Sequence, residues 1–434
     1  MPICPQPCRR ASISVRCADD LLTARLLAAV AALIAIASGA GCVGGNGRGG
    51  TGTVTPPVNN TLALTVDGGP AAGGGGINHA YVTVKVCAPG TSKCVNIDHV
   101  LLDTGSVGLR LVGSVLAAAS VTLSSEIDSN NQTIEECATF GGGQTWGPVA
   151  SADVTLAGES AAGVPLQVMD DQRVTAPPPA TCGANGTLIN SVTGFDANGV
   201  LGVGVLAQDC GSSCVNATPA VAVYYGCTSG NAGVCTAENV ALMQQVTNPV
   251  WLFSSADNNG VIVELPNLQN PNGDATVQGK LLFGLGTQAD NALPPSGLTV
   301  LGTDANGDFR ANYKGNVLPS LIDSGTDAYA FDDQTISSCT GATFVGYYCP
   351  TTAPLPLTAV NSGVGANSGS DTVQFALANP DNTFIPTAVA FTDLGGGGGS
   401  TEFIWGMPYF YGRSIYVGLE SRTAGAFTGP FFAY

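Results

Sequence analysis

A short phrase occurs twice in this chain, and the repeat constrains its fold more than any other feature. Leu101-Leu102-Asp103-Thr104-Gly105-Ser106 returns as Leu321-Ile322-Asp323-Ser324-Gly325-Thr326. Each copy is an apolar run that stops abruptly at an aspartate. Each is echoed later by two apolar residues and a glycine. The echo is Val200-Leu201-Gly202 in the first half and Ile404-Trp405-Gly406 in the second. Halves that share a punctuation pattern predict a duplicated lobe. A single copy reads as a tight turn in which an Asp side chain bonds its own backbone. Two copies, each with its echo, read as matched loops.

A carboxylate just after a buried strand sits at the lip of a sheet. The glycine that follows permits a tight reversal. Ser106 and Thr326 are placed to donate to the carboxylate in front of them. Two such loops brought face to face hold two aspartates close together. Like charges that near do not both ionise readily, so the pair shares a proton. One member then accepts a proton from water while the other donates to a carbonyl oxygen. This chemistry needs no metal, cofactor or histidine, which suits a chain with only two histidines, His79 and His99, both expected at strand edges or termini outside any site.

The rest of the chain reads as strand and turn. Gly and Pro number 59 and 26 in 434 residues, which disfavours long helices. Tyr81–Val86 alternates, and Val100–Leu102, Val261–Val263, Leu281–Phe283 and Ser414–Val417 are apolar runs. One helix is expected over Ala237–Val246, and surface loops at Gly73–Gly76 and Gly395–Gly399. The expected architecture is all-β: two similar barrel-like lobes, residues 61–248 and 249–434, with a deep cleft between them. A formal net charge of −17 argues against nucleic acid as a partner. Asp304–Asp308 starts like a calcium loop but lacks the closing Glu, so it reads as a polar turn.

The N-terminus reads as an address. Four arginines precede an apolar run from Leu26 to Ala37, and small residues follow, so residues 1–42 are expected to be a signal peptide. Its end, Ala40-Gly41-Cys42, resembles a bacterial lipoprotein box, which makes Cys42 the lipidation candidate. Residues 43–60 form a Gly-, Asn- and Pro-rich linker. Ten further cysteines on an exported chain read as disulfides. Proximity pairs Cys87 with Cys94, Cys210 with Cys214, Cys227 with Cys235 and Cys339 with Cys349, leaving Cys137 and Cys182. Spacing alone leaves that connectivity open. A zinc site on Cys210 and Cys214 lacks a second close-spaced ligand pair.

As an ordered series of motifs over most of residues 80–434, the chain resembles the pepsin-like aspartic peptidases. Asp103–Val112 looks like the first catalytic loop with its following strand, and Asp323–Thr326 like the second loop. Thr139-Phe140-Gly141-Gly142-Gly143, with Asp153–Leu156 beyond, looks like the flap hairpin. Phe195–Gly204, Gly279–Gly284 and Phe403–Leu419 resemble the strands that complete the lobes. The resemblance implies that Asp103 and Asp323 form the catalytic dyad. It implies that Ser106 and Thr326 orient the carboxylates, and that Thr104 and Ser324 brace the loops beside Gly105 and Gly325. Phe140, Gly141 and Gly142 would sit at the flap, with Phe140 where the family usually has tyrosine.

The implied protein is a monomeric endopeptidase that holds extended polypeptide in the cleft without a cofactor. It would be a divergent bacterial member: an outer-membrane lipoprotein tethered only by a lipid at Cys42, a periplasmic or cell-surface protein, or a secreted one. The alternative is a weakly active or inactive body of the same fold, serving binding or assembly on the envelope. A two-carboxylate carbohydrate enzyme fits poorly, because the loops supply no aromatic platforms.

Overall fold

Strands form where the side chains alternate. In Ala80–Cys87 only Thr83 and Lys85 reach solvent. Strand Cys94–Asp103 begins half-exposed and ends in four buried residues, Val100–Asp103. Val107–Val112 and Gly199–Val203 are buried throughout, as near-continuous apolar runs are when covered on both faces. The computed structural model describes residues 60–173, 176–182, 187–228, 233–270, 272–383, 385–397 and 401–434. The expected signal peptide, Cys42 and linker residues 43–59 lie outside the described residues.

Among the described residues these strands build a 16-stranded sheet, a 7-stranded sheet and a 2-stranded ribbon. The longest α-helix among the described residues is Gly113–Ala118, so the fold is all-β with barrel-like sheets. The duplicated phrase appears as duplicated topology. Cys94–Asp103 lies parallel to Gly199–Val203, with Asp103 opposite Gly202. Gly199–Val203 in turn runs antiparallel to Val107–Val112. In the second half Asn316–Ile322 lies parallel to Phe403–Trp405, with Ile322 opposite Trp405. Phe403–Trp405 then meets Tyr329–Ala330 antiparallel.

The halves are joined through sheet as well as chain. Thr61–Val66 pairs with Val277–Phe283 from Thr61↔Leu282 to Val66↔Val277. It meets the first half's Ala80–Cys87 only at Thr65↔Tyr81 and Val66↔Ala80. One core cluster includes Leu102, Leu109 and Leu201 from the first half and Ile322, Phe403 and Trp405 from the second. Trp405 is fully buried and donates its indole N–H to Asn361 Oδ1 at 3.0 Å. Phe331 stacks on Phe403 with ring centroids 4.9 Å apart. Among the described residues five disulfides form: Cys87–Cys94, Cys137–Cys182, Cys210–Cys214, Cys227–Cys235 and Cys339–Cys349.

Three local expectations are corrected. Residues 237–246 hold one 3₁₀ turn, Leu242–Gln244, in place of a helix. The Glu238 and Val240 N–H groups bond Tyr224 O and Cys214 O, so long-range partners take donors that a helix needs. Gly395–Gly396 is a buried-to-half-buried strand parallel to Tyr329–Ala330, not a surface loop. His99 lies inside strand Cys94–Asp103, at φ 45°, where the register slips against Val82 and Val84. His79 sits at a strand terminus, as expected, and is buried. Asp304–Asp308 is the expected polar turn, closed by Arg310 Nη2 donating to Asp304 Oδ2 at 2.9 Å.

Candidate active site

Each aspartate ends a buried strand and is held first by its own loop. Asp103 Oδ1 accepts from Gly105 N at 2.8 Å and Ser106 N at 3.1 Å, and Oδ2 accepts from Ser106 Oγ at 2.6 Å. Asp323 Oδ1 accepts from Gly325 N at 2.7 Å, and Oδ2 from Thr326 Oγ1 at 2.7 Å. The residues between are exchanged across the halves. Thr104 Oγ1 donates to Ile322 O at 2.7 Å and accepts from Ser324 N at 3.0 Å. Ser324 Oγ donates to Leu102 O at 2.7 Å and accepts from Thr104 N at 3.1 Å. Four hydrogen bonds therefore lock the loops in a near-twofold arrangement, each strand end capped by the other half's hydroxyl.

The glycines bring the acids together. A Cβ on Gly105 would lie 2.6 Å from Asp323 Cγ, and one on Gly325 would lie 2.7 Å from Asp103 Cγ. Each carboxyl thus rests over the opposite loop's glycine. Neither aspartate has exposed surface. Burial first, then the neighbouring Asp323 charge and a hydrogen bond with it, push the Asp103 carboxyl well above the usual carboxylate range. Behind the loops, Gly204 N donates to Ser106 O at 2.8 Å and Met407 N to Thr326 O at 2.7 Å. Gly204 and Gly406 are again positions a Cβ would fill, meeting Ser106 O at 2.6 Å and Ala328 O at 2.1 Å. Asn248, at the expected junction, donates its Nδ2 to Gly204 O at 3.0 Å.

The expected flap is the hairpin of Thr133–Phe140 and Gly143–Leu156, with exposed Gly141 and Gly142 at its turn. Phe140 is 3 % exposed and packs edge-on against Phe195, ring centroids 5.3 Å apart. Arg110 Cζ lies 5.5 Å from the Phe140 ring centre. Arg110 itself anchors a buried polar network that sequence reading did not foresee. It donates through Nε to Glu136 Oε2 at 3.2 Å, through Nη2 to Asp209 Oδ2 at 3.2 Å and through Nη1 to Val107 O at 2.8 Å. Tyr224 Oη completes the network by donating to Asp209 Oδ1. Burial, then the charge of Glu136, raises the Asp209 carboxyl well above its usual range. The available signal was Arg110 inside the otherwise uncharged run Val107–Val112 and the adjacent acids Glu135 and Glu136 in Thr133–Phe140.

The second loop carries an unforeseen partner too. Asn78 Nδ2 donates to Asp327 O at 2.7 Å, and Asn78 Oδ1 accepts from Phe391 N at 2.7 Å and Tyr411 Oη at 2.9 Å. Among the described residues, Cys339, Cys349 and Asp381 lie within metal-ligating reach of one another. The two sulfurs are joined in a disulfide and offer no thiolate. The family model described as "Protein of unknown function (DUF3443)" matches residues 56–434. No curated protein matches the chain. Among solved structures, the chain is similar to an aspartic proteinase from Irpex lacteus. The identity is 14% over 86% of this chain and 96% of that chain, with a TM-score of 0.47.

Proposed function

Since the chain belongs to the DUF3443 family of proteins of unknown function, with residues 56–434 inside the match, we propose a function from the site alone: an exported aspartic endopeptidase acting on extended polypeptide. The observation that carries this reading is the pair of carboxyl groups, each resting over the other loop's glycine. Asp103 holds the shared proton and gives it to the scissile carbonyl oxygen. Asp323 takes a proton from the attacking water, whose oxygen bonds the carbonyl carbon. As the C–N bond breaks, that proton passes to the leaving nitrogen and the protonated oxygen returns its proton to Asp103, which leaves a carboxylic acid, an amine and the dyad as it began. Ser106 and Thr326 keep the outer carboxylate oxygens aimed, and Thr104 and Ser324 keep the loops apposed. The five disulfides favour an oxidising compartment.

Asp103→Asn tests the dyad. Cleavage of an unfolded polypeptide, assayed between about pH 3 and 7, should fall by roughly 10²- to 10⁴-fold. Unchanged cleavage would show that the dyad does not act. A second reading, a binding or assembly protein that keeps the aspartates as structure, is favoured by the burial of Phe140 within its own half and by the enclosed carboxyls. A peptide mimic carrying a central hydroxyl separates the two. Tight binding that Asp103→Asn abolishes supports the peptidase, and no binding supports the second reading.

A further inference from the structure

Adjacent residues of a strand face opposite ways, and Thr133–Phe140 places two acids side by side. Glu136 turns toward Arg110. Glu135 turns the other way and meets no donor. It has no exposed surface, and neither of its carboxylate oxygens has a hydrogen-bond partner among the described residues. Buried carboxyl groups are normally satisfied, because an unpaired one forfeits its hydration with nothing in return. Glu135 lines a cavity of about 200 Å³ whose other walls include Trp146, Pro148, Pro177, Leu188 and Asp171. The donors of Trp146 and Arg173 are committed elsewhere. The Trp146 indole N–H goes to Ala176 O at 3.1 Å, and its backbone N–H goes to Asn190 Oδ1 at 2.8 Å. Arg173 is paired with Asp171 and Leu123 O.

The cavity therefore sets a buried carboxyl, with Asp170 and Asp171 nearby, against apolar surface from Trp146, Leu188 and the prolines, and it is smaller than the roughly 300 Å³ at which drug-sized sites begin. A divalent cation wants about six oxygen ligands around one point, and among the described residues the carboxylates of Glu135, Asp170 and Asp171 do not converge within ligating reach of one another. We propose that this cavity binds a primary alkylammonium group, its head paired with Glu135 and its hydrocarbon stem laid along Trp146 and the prolines. The chemistry is that of a lysine side chain or a free alkylamine. The site is separate from the aspartate pair and stands whether or not that pair hydrolyses peptides. Burial, then the charge of Asp171, pushes the Glu135 carboxyl up to about 8. Also near it are Asp170, Arg173 and Tyr225, its cross-strand neighbour. An entering ammonium displaces the carboxyl proton to solvent, so binding should tighten as pH rises toward 8.

The test is calorimetric titration of the full chain with n-pentylamine, with Nα-acetyl-lysine amide and with n-pentanol, at pH 6 and pH 8. Saturable binding of the amine is expected, about tenfold or more tighter at pH 8, with proton release seen as a dependence on buffer ionisation heat. n-Pentanol, with the same stem and no charge, should bind at least about tenfold more weakly. Glu135→Gln should lose at least about tenfold in amine affinity without a lower melting temperature. Binding of both amine probes supports capture of a lysine side chain from a polypeptide. Binding of pentylamine alone supports a free amine. No saturable amine binding by about 10 mM at pH 8, or equal binding of pentanol and pentylamine by the wild type, would overturn the proposal.

Discussion

Asp103, Gly105 and Ser324 each meet the opposite aspartate loop at close range. Sequence reading assigns Gly105 and Gly325 to a tight reversal, but neither has a positive φ. Their need is for space, because the opposite carboxyl occupies the place of a Cβ. Gly105→Ala should therefore act on the facing acid, whose Cγ the new methyl would approach to 2.6 Å. Destabilisation of about 1–3 kcal/mol is expected, together with loss of any peptidase activity. Urea unfolding and a cleavage assay measure the two effects. A variant with wild-type stability and cleavage would mean that the loops are not so closely apposed. Arg110 shows how a single residue misleads. Its neighbours in Val107–Val112 are all buried, and its charge is tolerated only because buried Glu136 and the mostly covered Asp209 lie beside it.

At the scale of elements, the hairpin of Thr133–Phe140 and Gly143–Leu156 has two working faces. Glu136 serves the network under Arg110, while Glu135 lines the cavity near Trp146. The hairpin is tied down by Cys137–Cys182 and by Phe140 packed on Phe195. Phe140→Ala should cost about 3–5 kcal/mol of stability in chemical denaturation, the range for emptying a buried aromatic site. A loss under about 1 kcal/mol would place the Phe140 ring in solvent. The hairpin was expected through the resemblance carried by Thr139–Gly143 and Asp153–Leu156. The assignment of each glutamate to a face was not, because it depends on which sheet neighbours cover each side. The misread helix at residues 237–246 has the same origin. Its apolar spacing is helical, yet its N–H groups find partners on Tyr224 and Cys214, and Met243 is left exposed.

For the whole molecule, the perturbed acids oppose one another across the pH scale. Asp103 and Asp209 are raised by burial, then by a neighbouring acid, and Glu135 is raised to about 8 by burial, then by Asp171. A carboxyl with a raised folded-state value keeps a proton that the unfolded chain releases above about pH 4. Its contribution is present in acid and fades as pH climbs to 8. Asp333 runs the other way. Burial opposes its ionisation, but Lys314 and the hydroxyls of Thr335 and Tyr313 outweigh it and hold the carboxyl well below the usual range. Its contribution is lost as pH falls below about 4. Stability should therefore peak near pH 4–5, with a melting temperature roughly 3–10 °C higher at pH 5 than at pH 8. Glu135→Gln should flatten that slope, whereas melting that improves steadily from pH 5 to pH 8 would contradict the account. The strands, the two aspartate loops and the hydroxyls that serve each acid were decided by the sequence itself. They depend on alternation and on bonds spanning two or three residues, such as Ser106 to Asp103. Tertiary structure decided how Thr104 and Ser324 exchange hydrogen bonds across 220 residues, made firm the cysteine pairing that spacing had suggested and left open, and alone decided that Glu135 is enclosed without a partner. Such proximities depend on how sheets register and pack, and no stretch of neighbouring residues encodes them.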